Sequence, residues 1–132
     1  MPVNIPKIEF ERLVREAILD LPPRIRSYME NVAVVIEDDA TQQQRSRGNA
    51  GGGLLLGLYE GTPRTKRGPY YTLALPDKIT IFQKPLQFVS QSVGELREQV
   101  TATVRHEIAH HFGFDEGGAR QVSRKRGVKR KP

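Results

Sequence analysis

The chain has 132 residues, 37% of them hydrophobic, a formal net charge of +6 and no cysteine. The length fits one domain with a modest core, and the absence of cysteine excludes disulfides and thiolate metal sites. No apolar run approaches the ~20 residues needed to cross a bilayer, and no cationic stretch followed by an apolar one opens the chain, so the expectation is a soluble cytoplasmic protein with no signal peptide and no membrane partner. The positive charge is unevenly spread. Residues 123–132, SRKRGVKRKP, hold six basic side chains and no acid, which leaves 15 basic and 15 acidic side chains over the rest. A like-charged run of this kind stays solvated. We therefore expect a folded body over 1–122 and a disordered basic tail over 123–132, the only part suited to contact nucleic acid.

In chain order, residues 7–20, KIEFERLVREAILD, read as an amphipathic helix. Ile8, Leu13, Ala17 and Leu21 recur at helical spacing, and Phe10, Val14 and Ile18 widen the stripe. Pro22-Pro23 ends it, with a short helix following through Met29. The β-branched VAVVI, 32–36, predicts a strand. The polar, glycine-rich TQQQRSRGNAGGG, 41–53, predicts a flexible loop, with GNAGGG as a hinge or lid. It lacks the Lys-Ser/Thr that a phosphate loop requires. LLLGLYEG, 54–61, predicts a second strand. A basic loop follows at 62–69, residues 70–75 form a strand or an extended cover, and KITIF, 78–82, predicts a third strand. A long helical pattern spans 87–112, strongest from Glu95, and Gly113 stops it.

The three histidines of the chain, His106, His110 and His111, all fall in HEIAHHFGFDE, 106–116. At about 100° per residue, Leu96, Val100, Val104, Ile108 and Phe112 line one apolar stripe. His106 and His110 share another face, one turn apart, where two imidazoles can meet one ion. Glu107 sits beside them. H-E-x-x-H on a helix supplies two zinc ligands and a carboxylate able to take a proton from a zinc-bound water. Gly113 lets the chain turn back, which makes Glu116 the third ligand; Asp115 is the near alternative, because one residue of loop slack exchanges them. His111 points about 100° from His110 and reads as a supporting polar residue at the core edge, not a ligand. Tyr70 and Tyr71 are candidates for stabilising an oxyanion.

HEIAHHFG, preceded by LPDKITIF and GELREQVTATVR, resembles the small bacterial zincin-like metallopeptidases, or minimal metalloproteases, a family long described only as a domain of unknown function. The resemblance spans most of 7–116. It implies a compact α+β fold, with a small twisted mixed sheet packed on the active-site helix, and a site of the HExxHxxGxx(D/E) kind. Position by position it implies His106, His110 and Glu116 as ligands to one zinc ion per chain, Glu107 as the catalytic base, and a peptide or protein substrate. Members of the family favour Asp at the third-ligand position, where this chain has Glu116. The methionine turn of the larger metzincins has no counterpart, since Met1 and Met29 both precede the motif, and any wall of the primed side must come from loops 41–53 and 62–71. Two alternatives stand beside this reading. The same run resembles the bacterial rRNA-maturation endoribonucleases, whose motif continues Gly-Tyr-Asp-His; there Glu107 replaces a glycine and Glu116 a histidine. The other alternative is a non-catalytic metal-bound module whose tail contacts nucleic acid.

Overall fold

The computed structural model describes residues 2–48, 53–61 and 76–113. Helix α1 (Lys7–Leu19) is followed by the short α2 (Pro23–Ser27), strand β1 (Val32–Glu37), helix α3 (Gln42–Arg47), strands β2 (Gly57–Glu60) and β3 (Asp77–Phe82), and helices α4 (Gln83–Phe88) and α5 (Val93–Phe112). The strands form one mixed sheet in the order β1-β3-β2. β1 runs parallel to β3, from Val32 opposite Asp77 to Glu37 opposite Phe82. β2 runs antiparallel on the other side, from Gly57 opposite Ile81 to Glu60 opposite Lys78. The chain is thus α+β, with β1 and β2 as the outer strands among those described.

The period of two along β3 divides its side chains between two faces. Ile79 and Ile81 join a core with Phe10, Leu13, Val14 and Ala17 of α1 and Leu96, Val100, Val104 and Ile108 of α5. Phe82 enters a smaller cluster with Ala40, Leu55 and Leu58. The expected stripe of α5 is buried from Leu96 to Ile108, whereas its last member, Phe112, is 41% exposed; each buried side chain contributes roughly 1.5–3 kcal/mol relative to exposure. This stripe fixes the rotation of α5 and thereby turns His106 and His110 away from the core. Arg97 ties α5 to α1 through Glu16, at 2.9 Å, and Asp20.

Three sequence expectations need correction. Ile8 is 72% exposed, so the buried face of α1 is carried by Phe10, Leu13, Val14 and Ala17. Within 41–53, Gln42–Arg47 is helical rather than loop: the Thr41 hydroxyl accepts from the Gln44 N–H at 3.1 Å and the Gln44 side chain accepts from the Thr41 N–H at 2.8 Å. This reciprocal cap satisfies two orphan donors at the helix start. The helical pattern after 87 is broken between α4 and α5, where Ser92 caps the longer helix by accepting from the Glu95 N–H at 3.1 Å. The sequence-predicted strand or cover at 70–75, the 62–69 loop, most of GNAGGG and the basic tail lie outside the described residues. Among the described residues, no helix is long and apolar enough to cross a membrane.

Candidate metal centre

His106, Glu107 and His110 lie in the C-terminal half of α5, which ends where Gly113 adopts the left-handed conformation, φ 76°. That conformation favours glycine because a Cβ would strain it. His106 and His110 face the same cleft with ring centroids 5.6 Å apart and planes at 23°. Two near-parallel imidazoles one turn apart, exposed to one cleft, match the donor chemistry of a divalent transition-metal site. Among the described residues no third His, Asp or Glu completes a metal-holding group with them; the sequence-predicted third ligands, Glu116 and Asp115, lie outside those residues, as do Tyr70 and Tyr71.

The opposite wall of the cleft is β2. Gly57 brings the strand close to the helix: a Cβ there would stand 2.6 Å from Thr103 Cγ2. The Phe82 N–H donates to the Leu56 carbonyl at 3.1 Å. By antiparallel alternation, Leu58 and Glu60 also bond toward β3, whereas the backbone groups of Gly57 and Tyr59 turn outward. The Tyr59 N–H then donates to Glu107 Oε1 at 3.0 Å. The carboxylate is therefore held between helix and strand, in the same cleft as the two imidazoles.

Tyr59 makes a second link. Its ring stacks on His111 with centroids 3.9 Å apart and planes at 16°, and its hydroxyl donates to Asp77 Oδ2 at 2.7 Å. Burial, then the hydrogen bond to Asp77 and the charge of Asp77, push the phenol above its ordinary value of 10.0, so it remains a protonated donor. His111 Nε2 lies 3.8 Å from the same Asp77 oxygen, and Phe112 packs edge-on against His111 and, tilted by 43°, against Tyr28, each at 4.9 Å. His111 thus fastens the last turn of α5 to the sheet. Sequence patterning singled out neither Tyr59 nor Asp77, because a tyrosine in a short strand and an aspartate at a strand start are both common without function.

The cleft has a volume of about 250 Å³ and extends from His106, Glu107, His110 and His111 to Arg47 and Gly48 at the end of α3. Part of the 41–53 segment therefore does wall the site, as a helix end. Arg47 pairs with Glu60, whose other oxygen lies 3.7 Å from Lys78 Nζ.

A family model described as zincin-like metallopeptidase matches residues 29–124. In structure, the chain is similar to a conserved hypothetical protein from Thermo thermophilus, with a TM-score of 0.55 and 20% identity over 82% of this chain and 94% of that one. That likeness concerns the fold. No curated protein matches the chain.

Proposed function

The chain belongs to the zincin-like metallopeptidase family, and from that premise we propose that it is a zinc-dependent peptidase in which Glu107 is the general base. The observation that carries this reading is the placement of Glu107, fixed by the Tyr59 N–H at 3.0 Å and lining the same cleft as both imidazoles. His106 and His110 would hold one zinc ion per chain, with Glu116 as third ligand and Asp115 as its alternative. When bound, zinc acts as a Lewis acid toward a carbonyl and lowers the pKa of a coordinated water toward ~7.

The residues of the chain do the rest. An extended peptide lies along the outward edge of β2, where the backbone groups of Gly57 and the Tyr59 carbonyl turn toward the cleft while the Tyr59 N–H stays with Glu107, and pairs with it as an added strand. Glu107 takes a proton from the attacking water onto its carboxylate and returns it to the leaving amine nitrogen, a role that typically contributes ~10²–10⁴-fold. The Tyr59 N–H keeps that carboxylate from swinging out of the cleft. The Tyr59 hydroxyl is engaged by Asp77 and takes no part in proton transfer. The same carboxylate weighs against the endoribonuclease alternative, since Glu107 would set a negative charge beside the phosphates of an RNA strand. The test is Glu107→Gln: we expect it to keep its metal and lose hydrolysis of a peptide library. Undiminished cleavage by this variant would remove Glu107 from the mechanism.

A further inference from the structure

The cleft continues into a second lobe, and the two lobes differ in chemistry. Both include Gly48, Leu55, Gly57, His106 and Glu107. Toward the end of α5, the first lobe reaches His110, His111 and Arg47. Toward the start of α5, the second lobe, of about 400 Å³, is bounded by Leu56, Gln99, Ala102 and Thr103. Ala102 and His110 are eight residues apart on the helix, or ~12 Å at 1.5 Å per residue. An extended peptide covers that distance in three to four residues. One side chain on either side of the scissile bond therefore meets a different wall: small and aliphatic at one end, cationic at the other.

Arg47 supplies the cation. It occupies the last turn of α3, and the following residue, Gly48, packs so closely that a Cβ there would lie 2.7 Å from Leu55 Cδ1. The side chain is half exposed, 52%. Its one polar partner among the described residues is Glu60, reached through Nη1, and Glu60 is shared with Lys78. Among the described residues, two cations share this one carboxylate, so Glu60 alone does not neutralise Arg47. The remaining edge of the guanidinium, Nε and Nη2, has the fork geometry that receives a carboxylate on two parallel N–H donors.

We infer that Arg47 is a specificity determinant selecting substrates with an acidic side chain on the His110 side of the scissile bond and a small or aliphatic side chain on the Ala102 side. The inference rests on the peptidase reading proposed above. It is tested with three blocked hexapeptides that differ only in bearing Glu, Gln or Lys at the position beyond the scissile bond. Hydrolysis is followed with the zinc-loaded wild type. Binding is followed by calorimetry on Glu107→Gln, with and without Arg47→Met or Arg47→Glu; circular dichroism confirms the fold of each variant. A charge-assisted hydrogen bond at a half-exposed site discriminates by about tenfold. The Glu peptide should bind and react about tenfold better than the Gln peptide. Arg47→Met should level the two, and Arg47→Glu should favour the Lys peptide. Tight binding of the Glu peptide without hydrolysis by the wild type would refute the peptidase reading and keep Arg47 as a carboxylate-recognising residue. Hydrolysis with equal rates for Glu and Gln peptides would do the reverse. Binding of none of the three peptides would overturn the inference, as would a preference for Glu that survives in Arg47→Met.

Discussion

Replacing Gly57 by alanine probes the close approach of β2 to α5 on which the site depends. The new methyl would stand 2.6 Å from Thr103 Cγ2 and 3.3 Å from the Thr80 carbonyl oxygen, where carbon atoms normally settle ~3.5–4.0 Å apart. Strand and helix must separate by about 1 Å. Thr103 is 8% exposed and has little room to give, and the Thr80 oxygen belongs to the backbone of β3. Overpacking of this kind costs roughly 1–3 kcal/mol. We expect about 2 kcal/mol of destabilisation by urea denaturation. The same separation stretches the 3.0 Å bond from the Tyr59 N–H to Glu107 beyond useful range, so peptide hydrolysis should fall while metal content, held on α5 by His106 and His110, stays level. Thr103→Ala removes the Cγ2 atom. The double variant Gly57→Ala/Thr103→Ala should therefore be more stable than the sum of the single changes by ~1 kcal/mol, the coupling expected of residues in contact. Wild-type stability in Gly57→Ala, or strict additivity in the double variant, would refute the argument that contact with Thr103 sets the position of β2.

Two further predictions concern the supports of the site. Tyr59→Phe removes the hydrogen bond to Asp77 and should destabilise the protein by ~1 kcal/mol. Because folding raises the phenol above its ordinary 10.0, its contribution is fully present below pH ~10 and is lost as pH rises through the folded value. The stability gap between variant and wild type should hold from neutral pH to about 10 and narrow above it; a gap that narrows only toward acid would contradict the assignment. Ser92→Ala deletes the side chain that caps α5 and should cost about 1 kcal/mol in chemical denaturation, whereas Ser92→Asp, which restores an acceptor, should recover it.

The active-site helix was legible because its apolar side chains recur every four residues from Leu96 to Ile108 and leave His106 and His110 on another face. Gly113 marked its end, and the left-handed φ of 76° bears that out. Strands β1 and β3 were likewise plain from their β-branched runs. The helix α3 was hidden by the glycines that follow it. Its signal, Thr41 with Gln44 three residues on, is a capping pattern that outweighs the weak apolar content of QQQRSR. The break before α5 carried a similar signal in Ser92 and Glu95, which continuous periodicity masked. Ile8 illustrates the opposite limit: spacing placed it in the stripe, but burial is decided by what packs opposite, and α5 reaches the Phe10 face instead. For the site, the HExxH pattern located three residues, whereas Tyr59 and Arg47 come to it through the antiparallel pairing of β2 and the end of α3. Both are long-range consequences of the fold that no local spacing encodes.

The most direct test of the account is metal stoichiometry. Protein purified without a histidine tag and without added metal would be measured by elemental analysis as wild type, His110→Ala, Glu116→Ala and Asp115→Ala. One zinc per chain is expected in the wild type and in Asp115→Ala, and none in His110→Ala or Glu116→Ala. A wild type that holds no metal even after incubation with excess zinc would contradict it, because the paired imidazoles beside Glu107 would then not form a working centre.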